Sequence, residues 1–214
     1  MRRAWNPRSG GLRRAAVVAL ALTALSPVGR AAAQSCWSAH PLDFPQPADF
    51  PSEFHAVIEI PAGGTVKYEI DPDTGVPVVD RFVVSPVAYP ANYGFVAGTL
   101  EGDGDPLDVL IWTREPVVPG AVVRARAVGL LRMTDAGERD TKILAVPAAD
   151  VDPRYADVRD IDDLGRWERE RVESFFETYK GLPGGGRIEL AGIGDAVEAN
   201  AALVEAHDRC RQGA

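Results

Sequence analysis

The chain has 214 residues, 46% of them hydrophobic and 25% charged, with 31 acidic against 23 basic side chains and a net charge of −8. One sizeable core fits that length; two comfortable domains do not. The acid excess argues against a nucleic-acid binder, which needs a basic patch for phosphates. Three His, two Cys and no HExxH exclude the usual zinc spacings.

Residues 1–33 differ from the rest. Five arginines up to Arg14 precede the apolar run Ala15 to Leu25, then Pro27, Gly29 and the small residues Ala31-Ala32-Ala33. That is the order of a secretory signal peptide, and the run is too short for the roughly 20 residues that span a bilayer. Cleavage is expected near Gln34, giving a periplasmic or secreted protein with no membrane attachment. Six of the basic residues lie in this segment, so the remainder carries about −14. Residues 34–52, rich in Pro and Ser, are expected as an extended lead-in to a domain over 53–214.

Short strand patterns follow: Phe54 to Ile60, Val66 to Ile70, Pro77 to Val84, Tyr93 to Ala97, Val109 to Trp112, Ala121 to Met133 and Ile143 to Val146. Turn signals every 8–12 residues suggest a small antiparallel barrel or sandwich. The period then changes. Asp162 to Lys180 places Leu164, Trp167, Val172, Phe175 and Phe176 on one face, with Asp162 or Asp163 as cap and Gly181 as stop, and predicts a helix. Gly184-Gly185-Gly186 reads as a flexible link to Arg187-Ile188-Glu189-Leu190, and Asp195 to Arg211 predicts a second helix. The fold class is α+β, strands first and helices last.

The carboxylates are unusual. DGDPLD, Asp103 to Asp108, holds three acids on a Gly/Pro turn, and the hairpin around Met133 to Lys142 adds Asp135 and Asp140. Glu59 stands inside a strand pattern, as do Lys67, Glu69 and Arg81. Charges embedded in strands are costly unless paired. Like charges this close on a stiff turn need a cation, and hard divalent ions take oxygen ligands, Mg²⁺ through a few carboxylates, waters and phosphate oxygens. Lys and Arg at the rim suit phosphate. The set points to metal-assisted phosphoryl transfer to water. DGDPLD lacks EF-hand spacing, with no Gly at the sixth place and no Glu at the twelfth.

Taken together, VIEIP with KYEID, DRF, YPANYGF, DGDPLDVL, MTDAGERDTK and FFETYKGL, in this order, resemble the family I soluble inorganic pyrophosphatases. The resemblance runs from about Phe54 to Arg211. It implies a five-stranded, OB-like antiparallel β-barrel with flanking C-terminal helices, hydrolysing pyrophosphate with Mg²⁺. By position, Asp103, Asp108 and Asp140 look like ligands of a first metal, with Asp108 also holding a second. Asp105 looks like the acceptor of the water's proton, and Glu59, Asp135 and Asp140 like ligands of further metals. Lys67, Arg81, Tyr93, Lys142, Tyr179 and Lys180 would bind phosphoryl groups, and Glu69 and Tyr89 would line the site. The family likeness also implies a homo-oligomer, a hexamer in bacterial relatives.

The loop after Pro61 is short for the family. The signal peptide and the two Cys are also unusual for a family best known in the cytosol. Cys36 and Cys210, the only cysteines, are expected to pair in an exported chain. Two other readings compete. One is a secreted phosphohydrolase on the same scaffold, acting on short polyphosphate or nucleotides. The other is an OB-like binding module with structural calcium, which needs no convergence of Lys67, Arg81, Tyr179 and Lys180.

Overall fold

A computed structural model describes residues 40–180 and 187–213. The expected signal peptide, Cys36, Gly181 and the Gly184 to Gly186 link lie outside the described residues. The strands are β1 (Phe54–Ile60), β2 (Val66–Ile70), β3 (Pro77–Phe82), β4 (Asn92–Val96), β5 (Asp108–Ile111), β6 (Val122–Asp135), β7 (Glu138–Arg139), β8 (Lys142–Pro147) and β9 (Ile188–Gly194). The helices are α1 (Arg166–Thr178) and α2 (Ala196–Gly213).

The large sheet runs β1-β4-β5-β8-β6-β7, and β6 pairs back onto β1, so five strands close a ring. The long strand β6 makes this possible, because it also carries β7, β8 and β9. β2 and β3 pair only with each other and form a hairpin outside the ring. At Gly94 a Cβ would lie 1.9 Å from the Val57 carbonyl oxygen, so only glycine lets β4 approach β1 here.

The ring corrects the all-antiparallel expectation, because β5 and β8 run parallel, with Val109 opposite Ile143 and Ile111 opposite Ala145. The physical reason lies in burial. β8 is buried throughout and β5 nearly so. Val109, Ile111, Ile143 and Ala145 face a core shared with Ala199, Leu203 and Ala206 of α2. Leu110, Leu144 and Val146 face a second core shared with Val172, Phe175 and Phe176 of α1. Strands covered on both faces read as continuous apolar runs, which suits a parallel pair. Truncating the fully buried Phe176 to Ala would cost about 3–5 kcal/mol.

The first helix is shorter than the sequence predicts. A 3-10 turn, Ile161–Leu164, is capped by Asp160 in a box with Asp163, and Gly165 (φ 94°) separates it from α1. That break shifts the helical phase, so Trp167, expected on the buried face, is 71% exposed. The lead-in from residue 40 is docked rather than merely extended. The Gln46 amide donates to the carbonyls of His55 (3.0 Å) and Ala97 (2.7 Å) and accepts from the His55 N–H (2.9 Å).

Candidate active site

The DGDPLD turn joins β4 to β5 and is held from both sides. The Thr99 hydroxyl donates to the Val96 carbonyl (2.6 Å) and accepts from the Leu107 N–H (3.0 Å). Val96 N–H donates to the Leu107 carbonyl (2.8 Å), and the Leu107 side chain is wholly buried. Within the turn, Asp103 Oδ1 accepts from the Asp105 N–H (3.0 Å), Glu101 N–H donates to the Asp105 carbonyl (2.7 Å), and Gly104 takes φ 96°. The carboxylates therefore sit on a stiff platform.

A second carboxylate group arrives with the β6–β7 hairpin. Asp135 ends β6 opposite Glu138, and the N–H of Asp140 donates to the Met133 carbonyl (3.0 Å). The parallel register then sets Lys142 beside Asp108. The Lys142 ammonium is buried, bonds both Asp108 and Asp140, and lies 5.7 Å from the Tyr93 ring centroid. Lys180, just past α1, pairs with Asp135. An aromatic chain fixes that end of α1: Tyr93 to Tyr89 (5.2 Å between centroids), Tyr89 to Phe175 (4.7 Å) and Phe175 stacked on Tyr179 (5.1 Å).

The outer hairpin supplies the other cations. Lys67 and Arg81 face each other across β2 and β3. Lys67 bonds Glu69 and lies 3.5 Å from Asp80, which also holds Arg81. Glu59 Oε1 accepts from the Ile70 N–H (3.0 Å), tying β1 to β2.

These elements enclose a cavity of about 820 Å³. All fourteen predicted site residues line it: Glu59, Lys67, Glu69, Arg81, Tyr89, Tyr93, Asp103, Asp105, Asp108, Asp135, Asp140, Lys142, Tyr179 and Lys180. Among the described residues Cys210, on α2, has no disulfide partner and does not line the cavity; its expected partner Cys36 is outside the described residues. Sequence reasoning missed Glu101, Glu138, Arg139 and Thr141, which also line the cavity. The signal available was proximity, since each lies within three residues of an assigned acid.

Crowded carboxylates perturb one another. Burial raises Glu59 to about 7, the Ile70 N–H opposes this, and Asp108 adds to it. Burial likewise raises Glu101 to about 7 against the pull of Arg139. Desolvation, Asp103 and Asp108 push Asp105 above the ordinary range, although its loop is exposed. Burial raises Asp140 despite Lys142, and burial pushes the Tyr89, Tyr93 and Tyr179 phenols up. Lys142 is pulled down by burial, but the charges of Asp108 and Asp140 outweigh it and hold the ammonium charged.

Among the described residues, no three His, Cys, Asp or Glu side chains converge tightly enough to cage a metal unaided. The donor set nevertheless fits a hard divalent cation, which completes its shell with water and substrate oxygens. Asp135 Oδ1 is buried without a hydrogen-bond partner, as an acceptor intended for a cation would be.

A small closed β-ring bearing a cavity in which carboxylates alternate with the Lys, Arg and Tyr side chains that pair with or border them suits a metal-assisted phosphohydrolase. The inorganic pyrophosphatase family model matches residues 56–211. The chain is 46% identical to an inorganic pyrophosphatase of Gluconobacter oxydans over 158 residues, covering 74% of this chain and 91% of that one. It is 48% identical to that of Xanthomonas campestris over 162 residues, covering 75% and 91%. The crystal structure of inorganic pyrophosphatase from Thermus thermophilus superposes with a TM-score of 0.77 at 37% identity, covering 81% of this chain and 99% of that one. The chain belongs to the inorganic pyrophosphatase family.

Proposed function

We propose that the protein hydrolyses inorganic diphosphate to two phosphates, with Mg²⁺ as cofactor. The observation that carries this is the convergence of every assigned acid, cation and tyrosine on one cavity. A structural calcium module would not need Lys67, Arg81, Tyr179 and Lys180 there.

Asp103, Asp108 and Asp140 would hold a first ion, Asp108 a second, and Glu59, Asp135 and Asp140 those that enter with substrate. When bound, the metal lowers the pKa of a coordinated water and neutralises phosphate charge. Asp105 accepts the proton of the attacking water at a carboxylate oxygen. The water oxygen bonds to phosphorus as the bridging P–O bond breaks, and the leaving phosphate takes the electron pair. Lys142, Lys180, Lys67 and Arg81 hold phosphoryl oxygens, with Tyr93 and Tyr179 donating to them. Glu69 and Asp80 set the orientation of the hairpin cations.

Phosphate release from diphosphate, with Mg²⁺ and with a chelator, tests the reading. Release only with Mg²⁺ supports it, and no release with either overturns it. Export to the periplasm or medium, pairing of Cys36 with Cys210 by exchange with a disulfide donor, and assembly into a homo-oligomer, a hexamer by family likeness, belong to the same proposal. Sedimentation velocity tests the assembly.

A further inference from the structure

The cation-bearing hairpin β2–β3 is not part of the ring, so something must set its distance from Asp108 of β5 and the turn before it. At one end Ile70 is buried among Val57, Phe95 and Ala97, and its N–H reaches Glu59. At the other end the turn Pro61 to Gly64 leads from Glu59 towards Lys67. That turn is fastened to the segment before β4. Gly63 N–H donates to the Tyr89 carbonyl (2.8 Å), Tyr89 N–H donates to the Gly64 carbonyl (3.1 Å), and Ala62 N–H donates to Asn92 Oδ1 (3.0 Å).

Asn92 has no exposed surface, and all its hydrogen-bonding capacity is used. Its Oδ1 also accepts from Val117 N–H (2.8 Å). Its Nδ2 donates to the Ile111 carbonyl (3.1 Å) and to the Thr113 hydroxyl (2.7 Å). One amide thus bolts the β1–β2 turn to the end of β5 and to the loop beyond it. Its neighbour Tyr93 carries the Lys142 ammonium over its ring, 5.7 Å from the centroid. A buried amide is costly unless every group is matched, so this junction has one low-energy geometry.

Resting on the diphosphatase reading, we propose that Asn92 is a positioning residue. Through the Ala62 N–H it fixes where Lys67 and Arg81 stand relative to Asp108 and Lys142, and so sets diphosphate affinity. It touches neither substrate nor metal.

The contact can be broken from its other side. Gly64 N–H donates to the Pro61 carbonyl (2.9 Å) and Gly63 has φ 76°, so Ala62 occupies the second place of a type II turn, where proline is favoured. Ala62→Pro therefore deletes the N–H with little demand on the turn. Ala62→Pro, Asn92→Ala and Thr113→Val are compared with wild type by kcat, KM, Mg²⁺ titration and thermal melting. Calorimetry measures binding of methylenediphosphonate, a non-hydrolysable diphosphate analogue, with Mg²⁺ present.

Ala62→Pro should raise KM and the analogue Kd on the order of tenfold, with kcat within about threefold, and leave the Mg²⁺ midpoint and Tm near wild type. Thr113→Val breaks a bond on the β5 side only, and should lower Tm with KM unchanged. Asn92→Ala should do both. If Asn92→Ala does not fold, Ala62→Pro decides alone. Unchanged KM and Kd in folded Ala62→Pro overturn the proposal, as does an equal KM rise in Thr113→Val. A wild type without diphosphatase activity would reject the functional reading. Analogue binding would then still test the role of Asn92.

Discussion

Asp108 and Lys142 stand in register on the parallel pair of the ring, and the Lys142 ammonium bonds the Asp108 carboxylate. Asp140 is bonded to the same nitrogen. Lys142 thus holds two like charges together from a buried position. Lys142→Met would leave those carboxylates facing each other, and breaking a buried pair costs about 3–5 kcal/mol. Tm should fall in EDTA and recover with Mg²⁺ by a larger increment than in wild type. Melts with and without Mg²⁺ check this. Equal increments would mean that Mg²⁺ does not share those carboxylates.

Away from the site, Arg114 Nε donates to the nearly buried Asp152 at 2.7 Å, and Arg154 N–H donates to it at 3.1 Å. The Arg114 hydrogen bond lowers the Asp152 pKa, with desolvation opposing. A depressed carboxylate stabilises the fold above its ordinary pKa of about 3.9, and that contribution is lost as pH falls through the folded-state value. Asp152→Asn should therefore be less stable than wild type at neutral pH, with the gap closing below about pH 3.9. Urea unfolding across that range measures the gap. A constant gap would assign the effect to packing.

The site was legible because chemistry fixed residue types at fixed spacings. Acids on a Gly/Pro turn and charges inside strand patterns stood out against a background that forbids them. The fold was legible down to its strands, but not to their pairing. The doubly buried run Val109 to Ile111 permits a parallel partner but does not demand one, since the equally buried β4 pairs with it antiparallel while β8 pairs with it parallel. Trp167 misled because the helical period was carried across Gly165, whose positive φ ends one element before the next begins. Asn92 was passed over because an amide's role lies in its partners, and its partners Ala62, Ile111, Thr113 and Val117 are all distant in sequence.

Export makes a separate prediction. Expressed in a bacterial host with its own leader, the protein should be recovered outside the inner membrane with its N-terminus close to Gln34. Intact mass before and after reduction also reads the Cys36–Cys210 pair, since pairing removes two hydrogens. Full-length protein held in the cytosol would overturn the export proposal. Two alkylatable thiols in unreduced, exported material would overturn the pairing.

Asp105 carries the sharpest prediction. It is the middle acid of a turn whose backbone bonds do not involve its side chain, so Asp105→Asn should preserve the platform. Its carboxylate stands between Asp103 and Asp108 in sequence, and desolvation, followed by their charges, raises its proton affinity. That suits a group which must take a proton from water during attack and release it afterwards. An Asn in its place still accepts a hydrogen bond from the water but cannot take the proton. Turnover should fall by about 10²–10⁴-fold, the usual worth of a general base. The Mg²⁺ midpoint should stay within about threefold, because metal ligation is assigned to Asp103 and Asp108. Asp108→Ala should do the reverse and move that midpoint first. Steady-state kinetics over a Mg²⁺ titration separates the two, and near-normal turnover in Asp105→Asn would move the base to another carboxylate of the cavity.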